Sequence, residues 1–143
     1  MLFYQQNNMD KIKLYFSLTK PRVIELLLIT SVPTLFYFSN EIPSINIIFG
    51  VLVGGFLGAG GANALNAAIE AETDKFMART KNRPTATGQI SQKNGAIFSF
   101  SLLVLSFIIM TLTVNVLSAA LILFAAFFYV VIYTIWLKPR TAQ

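Results

Sequence analysis

Neither cysteine nor histidine occurs anywhere in the 143 residues. The first absence excludes a disulfide framework, a thiolate nucleophile and any Cys-based metal site. The second removes imidazole as metal ligand and as general base. Charge is scarce too: Asp, Glu, Lys and Arg make up 12% of the chain, against 55% hydrophobic residues and a mean hydropathy of +0.66. Soluble domains carry about 25% charged residues, so lipid is the main solvent for this surface. The first twenty residues also lack an apolar run followed by a small-residue cleavage site, so no removable signal peptide is expected. Chemistry is left to carboxylates, amides, hydroxyls, lysine and arginine.

What is present is a set of long apolar runs, at residues 23–38, 45–69, 95–114 and 117–137. Most approach the ~20 residues a helix needs to cross a hydrocarbon core. Only helix leaves no backbone group unpaired in lipid within a single segment. The joints, Ser39-Asn40-Glu41-Ile42-Pro43-Ser44 and Val114-Asn115-Val116, are short enough to be hairpin turns between antiparallel neighbours. The net charge of +5 matters less than its placement. Lys11, Lys13, Lys20 and Arg22 precede the first span. Lys75, Arg79, Lys81, Arg83 and Lys93 lie between the second and third, and Lys138 and Arg140 follow the fourth. All eleven basic residues therefore fall on one side, which the positive-inside rule assigns to the cytoplasm. The expectation is an all-α, polytopic bundle of four transmembrane spans with both termini inside. Residues 1–22 form a cytoplasmic or interfacial segment, and residues 23–143 the four-helix region with a cytoplasmic loop at 70–94. Residues 9–20 mix Lys with Leu, Ile, Tyr and Phe, and read equally as an interfacial helix or as a basic flank.

The second span is rich in small residues: Gly50, Gly54, Gly55, Gly58, Gly60 and Gly61, with Ala59, Ala62 and Ala64 among them. Such residues serve close helix packing or line a cavity, and the two roles are compatible. The same span runs into Asn66, Glu70 and Asp74, spaced i, i+4, i+8, which stack along one helical stripe. All three offer hard oxygen, the donor type Mg²⁺ prefers, commonly with one or two carboxylates and the oxygens of a substrate phosphate. Lys75, Arg79, Lys81 and Arg83 follow within nine residues of Asp74, and arginine suits bidentate contact with phosphate. Two plainer readings stand beside this one. The acids pair with the loop cations at the membrane surface, or the cations only set topology. Asn66, an amide inside an apolar helix, favours the functional reading, because a polar group there needs a partner. Lys20-Pro21-Arg22 at the start of the first span, and Tyr133 and Lys138 at the end of the fourth, lie at the same depth. Glu25 lies one turn inside the first span, where pairing with Arg22 would account for it.

The run Asn66-Ala-Ala-Ile-Glu70-Ala-Glu-Thr-Asp74, followed by Met77-Ala78-Arg79-Thr80-Lys81-Asn82-Arg83-Pro84 and Gly88-Gln89-Ile90, resembles the first acidic motif of UbiA-type intramembrane prenyltransferases. Within that family it is most similar to the branch whose acceptor is protohaem. Leu18-Thr19-Lys20-Pro21-Arg22 and Tyr133-Thr134-Ile135-Trp136-Leu137-Lys138 match as well, so the resemblance covers the chain from about Leu14 onward. It implies half of a UbiA-type fold, and transfer of a farnesyl group from farnesyl diphosphate to protohaem, giving haem O. Mg²⁺ would be held by Asn66, Glu70 and Asp74, with Arg22, Arg79, Lys81, Arg83, Tyr133 and Lys138 contacting substrate. Glu70 departs from the Asp of many relatives but keeps a hard-oxygen ligand. The larger departure is that no second acidic motif follows. The expectation is therefore an N-terminal half, completed by a C-terminal half or a second copy, with little activity alone. Two other functions remain: prenyl transfer to an aromatic quinone precursor, and a non-catalytic four-helix membrane protein. Membrane lipid is an expected partner; nucleic acid is not.

Overall fold

The computed structural model describes residues 2–39 and 41–137, with side chains from Asp10 onward. Those residues are mostly helical, apart from the short joints and a loop over 75–91, with no strand among them. The order is α1 (Leu2–Leu18), α2 (Pro21–Phe38), α3 (Ile45–Ile69), a single turn α4 (Ala71–Asp74), α5 (Gln92–Thr113) and α6 (Val116–Phe127), which continues as a π-helical segment over Phe128–Leu137. Four helices are long and apolar enough to cross a membrane: Pro21–Phe38, Ile45–Ile69, Gln92–Thr113 and Val116–Leu137. The chain is a multi-pass membrane protein.

Helix starts follow the capping chemistry more closely than the hydropathy. Ser44, Ser91 and Asn115 each accept a hydrogen bond from the backbone N–H three residues on, and so begin α3, α5 and α6. The first span starts at Pro21 rather than Val23, because proline suits the first helical position. It also disfavours the α region for the residue before it, and Lys20 takes the left-handed conformation at φ 55°. Within α2 the hydroxyls of Thr30, Ser31 and Thr34 donate to carbonyls one turn back, so these polar side chains remain satisfied in an apolar setting. The N-terminal segment is a helix that docks by its C-terminal end: Leu18 is buried against Ala64, Ala67 and Ile90, with Leu14 and Tyr15 packed on that cluster. Glu25 is exposed and makes no ion pair with Arg22.

Helix α3 is the axis of the bundle, touching α1, α2, α5, α6 and the π segment. Its small residues divide by face. Gly50, Gly54, Gly58 and Gly61 form a stripe toward α5 and α6, where an added Cβ would collide with Thr113, Met110, Ile122 and Leu103 respectively. This close approach lets Ser99 and Ser106 on α5 donate to the α3 carbonyls of Gly61 and Gly54, both at 2.7 Å and fully buried. Gly55 faces elsewhere: a Cβ there meets only Leu28 Cδ2, at 3.5 Å. Both readings of the small residues hold, close packing on one face and an open groove on another. Gly61→Ala puts a methyl 3.0 Å from the backbone oxygen of Ser99, and overpacking of this kind costs about 1–3 kcal/mol. Gly55→Ala carries no such clash and gains the ~0.5–1 kcal/mol that helical Ala holds over Gly. Thermal unfolding in detergent should therefore show a lowered midpoint for Gly61→Ala and an unchanged or raised one for Gly55→Ala.

Candidate functional site

The site forms where α3 ends. Helix α3 runs to Ile69, Glu70 caps it, and the single turn α4 resumes at once, so Asp74 N–H donates to the Glu70 carbonyl at 2.8 Å. The near-continuous helix keeps Asn66, Glu70 and Asp74 on one stripe, and all three are buried, Asp74 to 1% exposure. Two carboxylates shielded from water need compensating charge close by. Arg83 provides it: its Nη1 donates to Asp74 Oδ2 at 2.5 Å and lies 3.5 Å from Glu70 Oε2.

The loop that carries Arg83 back to the stripe is itself fastened. Thr85 Oγ1 donates to the Ala67 carbonyl at 2.9 Å, and Ala86 and Ile90 are buried beneath it. Gly88 turns the chain at φ +78°, a conformation that a side chain would strain. On the opposite side of the stripe stands Thr134, whose Oγ1 donates to Asn66 Oδ1 at 2.7 Å, while Asn66 Nδ2 donates to Glu70 Oε2 at 3.1 Å. One connected array therefore runs Thr134–Asn66–Glu70–Arg83–Asp74.

The structure sorts the sequence candidates. Asn66, Glu70, Asp74 and Arg83 are brought together. Arg79 and Lys81 are exposed on the loop surface and pair with no described carboxylate. Lys75 pairs with Glu72 at 2.7 Å on the exposed face of the turn, away from the stripe. Arg22 is exposed at the start of α2. That start is held close to the site because Asn63, one turn before Asn66, donates to the Thr19 carbonyl at 3.0 Å. Tyr133 is 49% exposed and stacks on Tyr129, ring centroids 5.8 Å apart, so its neighbour Thr134 is the residue that enters the array. Lys138 lies outside the described residues. The sequence offered little signal for Thr134, one hydroxyl in an apolar run, beyond its place in the Tyr133-to-Lys138 segment.

A groove of about 480 Å³ leads from this end along the apolar body, walled by α2, α3 and α6. Leu27, Leu28, Gly55 and Ala59 line its depth, and Asn63 and Tyr129 stand at its polar end, each within about a turn of the array. Its walls leave one side open.

Among the described residues no group of three or more Asp or Glu forms a metal cluster. The donor set still fits one hard divalent ion. Two buried carboxylates on adjoining turns, with a net formal charge of −1 after Arg83, match the one or two carboxylates Mg²⁺ takes before water and phosphate complete its shell. Thr80 Oγ1, in the same loop, is buried without a partner and retains hydrogen-bonding capacity.

The family model described as UbiA prenyltransferase family matches residues 27–143. The protoheme IX farnesyltransferase of Pseudarthrobacter chlorophenolicus is 51% identical over 133 residues, covering 93% of this chain and 42% of that protein. Those of Streptomyces avermitilis and Leifsonia xyli subsp. xyli are 48% and 44% identical, again over 93% of this chain, and 44% and 43% of their own length. The chain thus spans less than half the length of these curated relatives. No solved structure matches it significantly.

Proposed function

The chain belongs to the UbiA prenyltransferase family, and on that premise we propose that it supplies the first acidic site of an enzyme that transfers farnesyl from farnesyl diphosphate to protohaem, giving haem O. The observation that carries the reading is the buried pair Glu70 and Asp74, bridged by Arg83 at the end of an apolar groove. The names of the relatives, which this chain matches over 93% of its length, support the choice of substrates.

Glu70 and Asp74 would hold Mg²⁺, with Asn66 beside them. When bound, the ion supplies positive charge to a diphosphate as its ester bond to farnesyl breaks. Arg83 lies within reach of the same charge, and Arg79 and Lys81, exposed on the loop, are placed to contact diphosphate oxygens as it enters. Arg22, Tyr133 and Lys138 are assigned to contact with substrate, as their place in the sequence motifs implies. The groove between α2, α3 and α6 suits the farnesyl chain, and its apolar walls keep water from the prenyl cation until the protohaem vinyl carbon attacks; the positive charge then rests on the other carbon of the former vinyl group, where a water molecule adds and loses a proton to give the hydroxyl-bearing product. No side-chain nucleophile is required, so the lack of Cys and His is no obstacle.

One side of the groove is open, so the farnesyl chain and cation are incompletely enclosed, and the chain by itself is expected to transfer little farnesyl. The placement of all eleven basic residues on one side of the membrane supports a cytoplasmic-facing site in the inner membrane. The test is an incubation of membranes containing this chain, continued to the length of its relatives, with labelled farnesyl diphosphate and haem. Label should appear in haem O, disappear with EDTA and return with Mg²⁺. Label that persists in EDTA rejects the metal role, and label in a quinone precursor instead of haem rejects the acceptor.

A further inference from the structure

The π-helical segment holds a single aliphatic hydroxyl, Thr134, and it is 4% exposed. Its Oγ1 lies 2.7 Å from Asn66 Oδ1 and 3.1 Å from the carbonyl oxygen of Tyr129. A hydroxyl has one proton to donate, so the choice between these acceptors depends on which end of the Asn66 amide faces it. Glu70 decides that. An ionised carboxylate only accepts, and Glu70 Oε2 lies 3.1 Å from the amide, so Asn66 must turn its NH₂ toward Glu70 and its oxygen toward Thr134. The shorter contact, to Asn66, is then the one the proton serves. Remove the hydroxyl and a buried amide oxygen loses its partner, and with it the restraint that aims the NH₂ at Glu70.

We infer that Thr134 is a positioning residue: by fixing the amide of Asn66 it holds the Glu70 carboxylate in the orientation that receives a divalent cation. The inference rests on the metal reading of Glu70 and Asp74 given above. Groups that orient metal ligands from behind typically account for 10- to 100-fold in metal affinity. Thr134 does so from a different helix, so the cation site is assembled by α3 and the end of the fourth span together.

The test is a titration with Mn²⁺, followed by electron paramagnetic resonance, of the whole chain in lipid nanodiscs. Thr134→Val, close in shape, should weaken Mn²⁺ binding about tenfold, and Thr134→Ser should stay within about twofold of the unaltered chain because it keeps the hydroxyl. In an Asn66→Ala background, Thr134→Val should have almost no further effect, which separates positioning through the amide from a general loosening of the bundle. If the valine variant aggregates, Thr134→Ala is judged by the same criteria. Equal Mn²⁺ affinity for unaltered chain and valine variant overturns the inference while leaving the metal reading intact. A full loss in the Asn66→Ala background also overturns it. An unaltered chain that binds no Mn²⁺ overturns the metal reading itself, and the inference falls with it.

Discussion

Asp74→Asn, in a polypeptide continued to the length of the relatives, is expected to lower haem O formation about a hundred- to a thousandfold, the loss typical when one electrostatic stabiliser of a developing charge is removed. The substitution preserves shape and still offers an oxygen to Arg83. It removes one of the two negative charges that would hold a divalent ion, at the most deeply buried position of the stripe. Helix formation and hydropathy are nearly untouched, so the amount of protein in the membrane should not change. Pigment extraction with chromatographic separation of haem O, beside an immunoblot of the membrane fraction, reads both quantities. Undiminished haem O at equal protein would reject Asp74 as a ligand and return it to the role of a structural ion pair.

The second large effect should come from Arg83→Gln, and it concerns stability. Arg83 is the cation that compensates Glu70 and Asp74, and breaking a buried pair by removing one partner costs 3–5 kcal/mol because the other charge stays uncompensated. The Arg83 side chain retains 19% exposure, which admits some water, so the low end of that range, about 3 kcal/mol, is the expected loss. Thermal unfolding in detergent measures it. Millimolar Mg²⁺ should recover part of the loss in the variant, since a ligand that binds the folded state alone raises its stability by mass action. A variant as stable as the parent would show that the carboxylates are neutral or solvated. A destabilised variant indifferent to Mg²⁺ would show that the pair serves the fold and nothing else.

The spans were legible because lipid imposes a simple rule: an apolar run of sufficient length must be helix. Their starts were less so, because Pro21, Ser91 and Asn115 act by satisfying or forgoing single hydrogen bonds that a hydropathy window averages away. The acidic stripe was legible from spacing alone, since i, i+4, i+8 is a property of the helix. The cations were not. Arg79, Lys81 and Arg83 are equivalent as letters, and only the fold of the loop, tied by Thr85 to Ala67 and turned at Gly88, brings Arg83 inward and leaves the others in solvent. The same limit hid Thr134 behind Tyr133. Deciding which of two adjacent residues faces α3 requires the winding of the helix that carries them, and the apolar run 117–137 contains no proline or glycine to mark where that winding changes.

The widened coil over Phe128–Leu137 has an implication for length rather than chemistry. In a π-helix each residue turns the chain through a smaller angle than in an α-helix, so the bearing of Thr134 toward Asn66 is set by how many residues lie upstream of it. Were this stretch to tighten to ordinary α winding at its present length, the hydroxyl would swing off the amide though every polar side chain were kept, and deleting one residue upstream of Thr134, Val131 for instance, would bring it nearly back. The ten residues behave like a vernier, and their number is as much a part of the proposed site as the oxygen atoms that face it.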